Sequence, residues 1–68
     1  MLLDDVERII RTKPGLTATQ IARVLFGADG YAEQVNYSCL RLARAGRIER
    51  RGRGGPGDPF TYHPIDPE

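Results

Sequence analysis

The fold is decided by the stretch Gln34-Val-Asn-Tyr-Ser-Cys-Leu-Arg-Leu-Ala-Arg-Ala-Gly46, which continues as Arg47-Ile-Glu-Arg-Arg-Gly52. Its apolar positions recur at helical spacing and form one stripe: Val35, Cys39, Leu42 and Ala43. At about 100° per residue, the opposite face carries polar and basic side chains: Gln34, Tyr37, Arg41 and Arg44. Gly46 ends the helix, and an arginine-rich segment follows. The pattern indicates a helix that packs through one face and offers the other to a polyanion.

The positive charge of the chain is concentrated in this stretch. The whole chain has a formal net charge of +1, but residues 41–53 hold six arginines against Glu49 alone, a balance of +5. Nine of the ten basic residues are arginine, whose guanidinium suits bidentate contacts with phosphate and guanine. A genome-wide preference for arginine is the alternative explanation. Because local charge density governs the attraction of an anion, the cluster favours a polyanionic partner.

Length and composition favour a binding module over an enzyme. A chain of 68 residues forms one small domain, which buries only about 60% of the surface that its unfolded form exposes. One cysteine and one histidine cannot make a four-ligand zinc site. The glycines of residues 52–57 lack the Lys-Ser/Thr of a phosphate loop. We therefore expect no catalytic residues, no metal and no cofactor.

Cysteine use and hydropathy favour a cytoplasmic protein. Cys39 is the only cysteine, so the chain cannot form an internal disulfide, which favours a reducing compartment. No apolar run approaches the roughly 18 residues of a membrane span. Asp4-Asp5 after Leu2-Leu3 is also wrong for a signal peptide. We expect no membrane partner.

Two further helices are predicted before this stretch. The first, about 2–12, has acidic residues near its start and basic ones near its end, and Pro14-Gly15 ends it. The second, about 18–26, begins at a capping box of Thr17 and Gln20. Its predicted buried face is Ala18, Ile21, Val24 and Leu25. The third helix, about 32–45, follows a turn at residues 27–31, with Asp29 or Gly30 as its cap and Gly46 as a left-handed end.

Two short strands are predicted after the third helix, at about 48–51 and 60–63. Residues 52–59 hold four glycines and two prolines, which predicts a flexible loop joining an antiparallel hairpin. Residues 64–68 are predicted to be a tail without regular structure. The predicted fold class is mainly α with a small β-hairpin.

This order of elements resembles the winged helix-turn-helix domain, over roughly residues 3–63. Thr17-Ala-Thr-Gln-Ile-Ala22 looks like the start of the second helix of that family. The spacing Val35-x3-Cys39-x2-Leu42-x3-Gly46-x-Ile48 is similar to the core positions of its recognition helix. Residues 51–62 look like its wing. The turn at residues 27–31 is longer than in the tightest members.

The resemblance implies binding of duplex DNA, commonly by bacterial transcription regulators, with the third helix in the major groove. The wing would lie on a phosphate backbone or an adjacent minor groove. The residue chemistry agrees, since Gln34 and Asn36 carry amides that can pair with adenine, and Arg41 and Arg44 can reach guanine or phosphate. The expected DNA-binding residues are Thr17, Thr19, Gln34, Asn36, Tyr37, Arg41, Arg44, Arg50, Arg51 and Arg53.

Each of these residues also has a plainer interpretation. Arginines in the last turns of a helix stabilise its dipole without a ligand, Thr17 is first of all a cap, and Tyr37 can be an ordinary surface tyrosine. An alternative function is a protein–protein interaction module that uses the same surface. A homodimer would have Leu40, the first helix and the tail from Pro64 as its available surfaces.

Overall fold

The computed structural model describes residues 1–65, which form three helices and a small three-stranded antiparallel sheet. The elements follow the order α1 (Leu2–Thr12), β1 (Leu16–Thr17), α2 (Ala18–Phe26), α3 (Glu33–Arg44), β2 (Ile48–Arg51) and β3 (Thr61–Pro64). Helices α1 and α2 have the predicted bounds, and α3 is one residue shorter than predicted at each end. No helix in residues 1–65 is long and apolar enough to cross a membrane.

The three helices and two strands share one core. Its buried apolar side chains are Val6, Ile9, Ile10, Ile21, Ala22, Val35, Cys39, Leu42, Ile48 and Tyr62. Burial raises the pKa of the Cys39 thiol to about 11, so the thiol stays protonated at neutral pH and acts as a small hydrophobic group.

The prediction for the buried face of α2 was wrong at one position. Val24 is 49% exposed, and Ala22 is fully buried in its place. The stripe is centred on Ala18, Ile21, Ala22 and Leu25, and at about 100° per residue Val24 lies roughly 110° from that centre. Hydrophobic character alone assigned Val24 to the core, whereas its angle on the helix places it at the surface.

The start of α2 has the predicted capping box. The Gln20 N–H donates to Thr17 Oγ1 at 3.2 Å, and the Thr17 N–H donates to Gln20 Oε1 at 2.8 Å. Two of the otherwise unpaired amides at the helix start are thereby satisfied. Thr17 is also the last residue of β1, so the start of α2 is fixed directly to the sheet.

The start of α3 differs from the prediction, because neither Asp29 nor Gly30 caps it. The helix follows Ala32, which makes no side-chain capping bond. Instead the Tyr31 N–H donates to Gln34 Oε1 at 2.9 Å. Gly30 is buried against α2, where an added Cβ would lie 2.5 Å from the Ala22 carbonyl oxygen. Packing of the turn therefore sets where α3 begins.

The end of α3 is the predicted left-handed glycine. Gly46 has φ +74°, its N–H donates to the Ala43 carbonyl at 3.1 Å, and the Arg47 N–H donates to the Leu42 carbonyl at 3.0 Å. These two bonds make a Schellman motif, which satisfies the last helical carbonyls and turns the chain. Ile48 can then enter the core at the start of β2.

Replacing Gly46 by valine is expected to lower the free energy of unfolding by more than ~1 kcal/mol. A Cβ at this position would meet no atom within 4 Å, so the cost comes from the left-handed backbone and not from a clash. Gly46→Asn is the matched control, since asparagine tolerates this conformation better than valine. Urea unfolding measures both variants, and equal stability of Gly46→Val and the parent would contradict a left-handed Gly46.

The predicted hairpin is part of a larger sheet, in the order β1-β3-β2. Strand β1 pairs antiparallel with β3, with Leu16 opposite Tyr62. The prediction missed β1 because two residues are too few to show a period of two. Strand β3 begins one residue later than predicted and includes Pro64, which was assigned to the tail. The Ile65 N–H also donates to the Arg47 carbonyl at 3.2 Å, while residues 66–68 of the predicted tail lie outside the described residues.

Candidate nucleic-acid interface

One cleft joins the start of α2, the first turn of α3 and the loop between β2 and β3. The cleft has a volume of about 160 Å³, and its lining residues are Thr17, Ala18, Thr19, Ala32, Asn36, Gly54, Pro59, Phe60 and Tyr62. Three of the predicted site residues, Thr17, Thr19 and Asn36, therefore meet at one place. Thr17 ends β1, Thr19 lies in the first turn of α2, and Asn36 lies in the first turn of α3, which leads into β2 of the same sheet.

The exposed face of α3 runs from this cleft toward the C-terminal end of the helix. Its exposed side chains include Asn36, Tyr37, Leu40, Arg41 and Arg44, which recur at the spacing of one helical face. Tyr37 is 70% exposed, and the Arg41 guanidinium carbon lies 5.9 Å from the centre of its ring. The face is thus polar and basic, with one aromatic ring beside an arginine.

Gln34 is less available than the sequence predicted. Its Oε1 accepts the Tyr31 N–H at 2.9 Å, and the side chain is half-buried. The residue substitutes for the missing cap of α3. The signal for this role was Gln34 three residues after Tyr31, the spacing of a capping glutamine.

The loop of residues 52–59, predicted to be flexible, contains a turn closed by two backbone hydrogen bonds. The Gly54 N–H donates to the Asp58 carbonyl at 2.9 Å, and the Asp58 N–H donates to the Gly55 carbonyl at 3.0 Å. Gly52 and Gly54 have φ of +100° and +82°. A Cβ at Gly54 would overlap the Phe60 ring. Gly52 and Gly54 therefore allow the loop to pack closely against Pro59 and Phe60. This packing was not predicted.

Arg50 is fixed by stacking. Its guanidinium carbon lies 4.0 Å from the centre of the Phe60 ring, a distance at which the cation and the ring attract each other. Phe60 lines the cleft, so Arg50 stacks on one of the residues that form it. Arg50 was a predicted DNA-binding residue, whereas its stacking on Phe60 was not predicted.

Arg51 and Arg53 differ from Arg50 in their surroundings. Arg51 lies on the opposite side of β2, since side chains alternate along a strand, and its Nε donates to Glu49 Oε1 at 2.9 Å. Arg53 is exposed in the loop. The three arginines predicted to act together therefore have three environments, and Glu49 neutralises Arg51.

Arg47 is held by an acid from α1. Its Nε donates to Glu7 Oε2 at 2.7 Å, and Arg11 Nη2 donates to the same oxygen at 3.0 Å. The Arg47 hydrogen bond, with a smaller contribution from Arg11, holds the pKa of Glu7 below its ordinary value against the opposing effect of burial. No local pattern could reveal this pair, because 40 residues separate its members.

The Glu7 ion pairs are expected to stabilise the domain at neutral pH and to stop doing so in acid. Because the folded pKa is lowered, the contribution is present above the ordinary glutamate pKa of about 4.3 and is lost as pH falls below it. Glu7→Gln should reduce the free energy of unfolding by up to about 1 kcal/mol at pH 7, a small value because Arg47 is largely exposed, and by less at pH 3. Urea unfolding at the two pH values measures the difference. Asp4→Asn is the control, since Asp4 has no ion pair within residues 1–65, and an equal loss at both pH values for Glu7→Gln would contradict the assignment.

The ion pairs reduce the number of arginines in residues 41–53 that are available to bind an anion. Of the six arginines in residues 41–53, two have carboxylate partners. Four have none within the part of the chain that the structure describes: Arg41, Arg44, Arg50 and Arg53. Two of these lie on the exposed face of α3, and two lie on β2 and its loop.

Cys39 and His63, the residues with side chains suited to catalysis, do not line the cleft. Cys39 is buried with a raised pKa, and His63 Nε2 shares a hydrogen bond of 2.9 Å with Thr61 Oγ1 on the same strand. What the cleft and α3 present is therefore amide, hydroxyl, aromatic and guanidinium groups. Such groups bind phosphates and base edges.

Comparison with known proteins gave no match, either among models of protein families, among curated proteins or among solved structures.

Proposed function

We propose that this chain is a winged helix-turn-helix module that binds duplex DNA and serves as a small transcriptional regulator. The observation that carries the proposal is the cleft in which Thr17, Thr19 and Asn36 meet the β2–β3 loop. Helix α3 would enter the major groove, which is wide enough for an α-helix. The loop would lie as a wing on the adjacent backbone or minor groove.

The start of α2 is suited to a phosphate. Thr17 Oγ1 already accepts the Gln20 N–H, so its own hydroxyl hydrogen is available to donate to a phosphate oxygen. The positive end of the α2 dipole favours an anion at the same place. Thr19 lines the cleft beside it. A phosphate contact here would fix the orientation of the domain on the duplex without reading its sequence.

The four arginines without carboxylate partners supply the electrostatic attraction. If each neutralises one phosphate, the logarithm of the binding constant should fall with the logarithm of salt concentration at a slope of about −3 to −4. Fluorescence anisotropy of a labelled mixed-sequence duplex, measured at several salt concentrations, gives this slope. An affinity that does not change between low and moderate salt would contradict the proposal.

A second candidate function, a protein-interaction module, is favoured by one other observation. Val24, Phe26 and Tyr31 are 49%, 46% and 55% exposed, and they lie at the end of α2 and in the turn that follows. None of them lines the cleft. A protein partner at this turn would leave the proposed DNA surface free, and the two functions can therefore be tested separately.

A further inference from the structure

We infer that Asn36, and not Gln34, reads an adenine in the major groove, so that preferred duplexes contain an A·T pair facing the first turn of α3. The inference rests on the proposed DNA-binding function and specifies which side chain selects the sequence. The two amides are two residues apart, and their residue types alone make them equivalent candidates. Their surroundings make them different.

Gln34 is committed to the start of its own helix. Its Oε1 accepts the Tyr31 N–H at 2.9 Å, while its backbone N–H donates to the Tyr31 carbonyl at 3.1 Å. Recognition of adenine by an amide uses the oxygen to accept from N6 and the nitrogen to donate to N7. Turning Gln34 toward a base would leave the Tyr31 N–H without its partner, which has a free-energy cost. Gln34 therefore stabilises the start of α3, and its side chain does not recognise a base.

Asn36 has the opposite environment. Its side chain is exposed and makes no hydrogen bond within residues 1–65, so both its donor and its acceptor are available. It lines the cleft with Thr17, Thr19 and Phe60. Phosphate contacts at the start of α2 and at the loop would flank it on two sides and fix its register against the base pairs. The N-terminal part of a recognition helix is also where base contacts are made.

The experiment is selection from random duplexes with three proteins: the parent, Asn36→Ala and Gln34→Ala. The parent should enrich sites with adenine at one position. Asn36→Ala should lose about 5- to 150-fold of the discrimination at that position, the value of one bidentate base contact, and keep the preferences elsewhere. Gln34→Ala should keep the adenine preference and melt at a lower temperature, because α3 loses its capping bond.

Several results would overturn the inference. The first is an adenine preference that survives in Asn36→Ala. The second is loss of the adenine preference in a Gln34→Ala protein that still folds. If Gln34→Ala does not fold, Gln34→Glu replaces it, because the carboxylate still accepts the Tyr31 N–H but cannot donate to adenine N7. Loss of the adenine preference in Gln34→Glu would also overturn it.

The parent protein separates failure of this inference from failure of the proposed function. A parent that binds duplexes without an adenine preference contradicts the role of Asn36 and leaves DNA binding intact. A parent that retains no duplex from the random pool contradicts both.

Discussion

Gly30→Ala is expected to lower the free energy of unfolding by about 2–3 kcal/mol, at the upper end of the cost of overpacking. A Cβ at Gly30 would lie 2.5 Å from the carbonyl oxygen of Ala22, 2.6 Å from its carbonyl carbon and 2.9 Å from the Arg23 nitrogen. All three atoms belong to the backbone of α2, so no side-chain rotation can relieve the contact. Helix α2 or the turn into α3 has to move.

The size of the domain makes this loss large. A single core in a chain below about 70–80 residues rarely supplies more than about 3–5 kcal/mol. At roughly 4–8 °C per kcal/mol for a domain of this length, the melting temperature of Gly30→Ala should fall by about 10–20 °C. Movement of α2 against α3 would also change the cleft, since both helices line it.

The matched control for Gly30→Ala is the same substitution at Gly57. A Cβ there would meet no atom within 4 Å, and Gly57 is not among the glycines with positive φ. Gly57→Ala should leave the melting temperature unchanged or raise it slightly, because alanine restricts the unfolded chain. Calorimetry of the parent and both variants is the measurement. Equal melting temperatures for Gly30→Ala and the parent would mean that the turn does not pack on α2 as described.

The second large effect is expected from replacing three of the four arginines that have no carboxylate partner in residues 1–65. A protein with Arg41, Arg44 and Arg53 all replaced by alanine should bind duplex DNA about 100- to 1,000-fold more weakly near 0.1 M salt, since each neutralised phosphate contributes about 0.9 to the salt slope. The slope itself should fall from about −3.6 to about −1. Arg50 is left in place because its stacking on Phe60 supports the loop.

A control protein should lose the same charge from another surface. Replacing Arg8 and Arg11 of α1 and Lys13 directly after it by alanine also removes three positive charges, but these residues do not line the cleft. The affinity of this control should fall far less than that of the Arg41, Arg44 and Arg53 variant. Equal losses in the two proteins would mean that attraction depends on total charge and not on the proposed face.

The parts of the fold that depend on neighbours in sequence could be predicted. The capping box needs only Thr17 and Gln20, three residues apart, and Gly46 needs only the end of the apolar stripe before it. The bounds of α1 and α2 follow from stripes that end at a proline or a glycine. Each of these signals is contained within one or two helical turns, so the residues themselves specify the structure.

The parts that depend on distant contacts could not be predicted. Strand β1 exists because Leu16 and Thr17 meet β3, more than 40 residues later in the chain. Gly30 is required by the backbone of α2 and not by its own conformation, and a glycine in a turn gives no sign of that.

The candidate site shows the same division. The sequence predicted a candidate site of amides and arginines on α3 and β2, and the structure distinguishes among these residues. Arg47 and Arg51 have carboxylate partners, Arg50 stacks on Phe60, and Gln34 completes the start of α3. Composition counts these residues as equivalent, whereas their contacts leave a smaller set available to a ligand. That smaller set defines the surface on which the proposed function depends.

The central claim, that α3 and the β2–β3 loop form one DNA-binding face, is tested most directly by NMR. An isotopically labelled protein is titrated with a mixed-sequence duplex while its backbone amide signals are followed. We predict shifts at residues 34–44 and 50–54, together with Thr17 and Thr19 at the start of α2. Shifts confined to α1 or to the turn between α2 and α3, or no shifts at all, would contradict the claim.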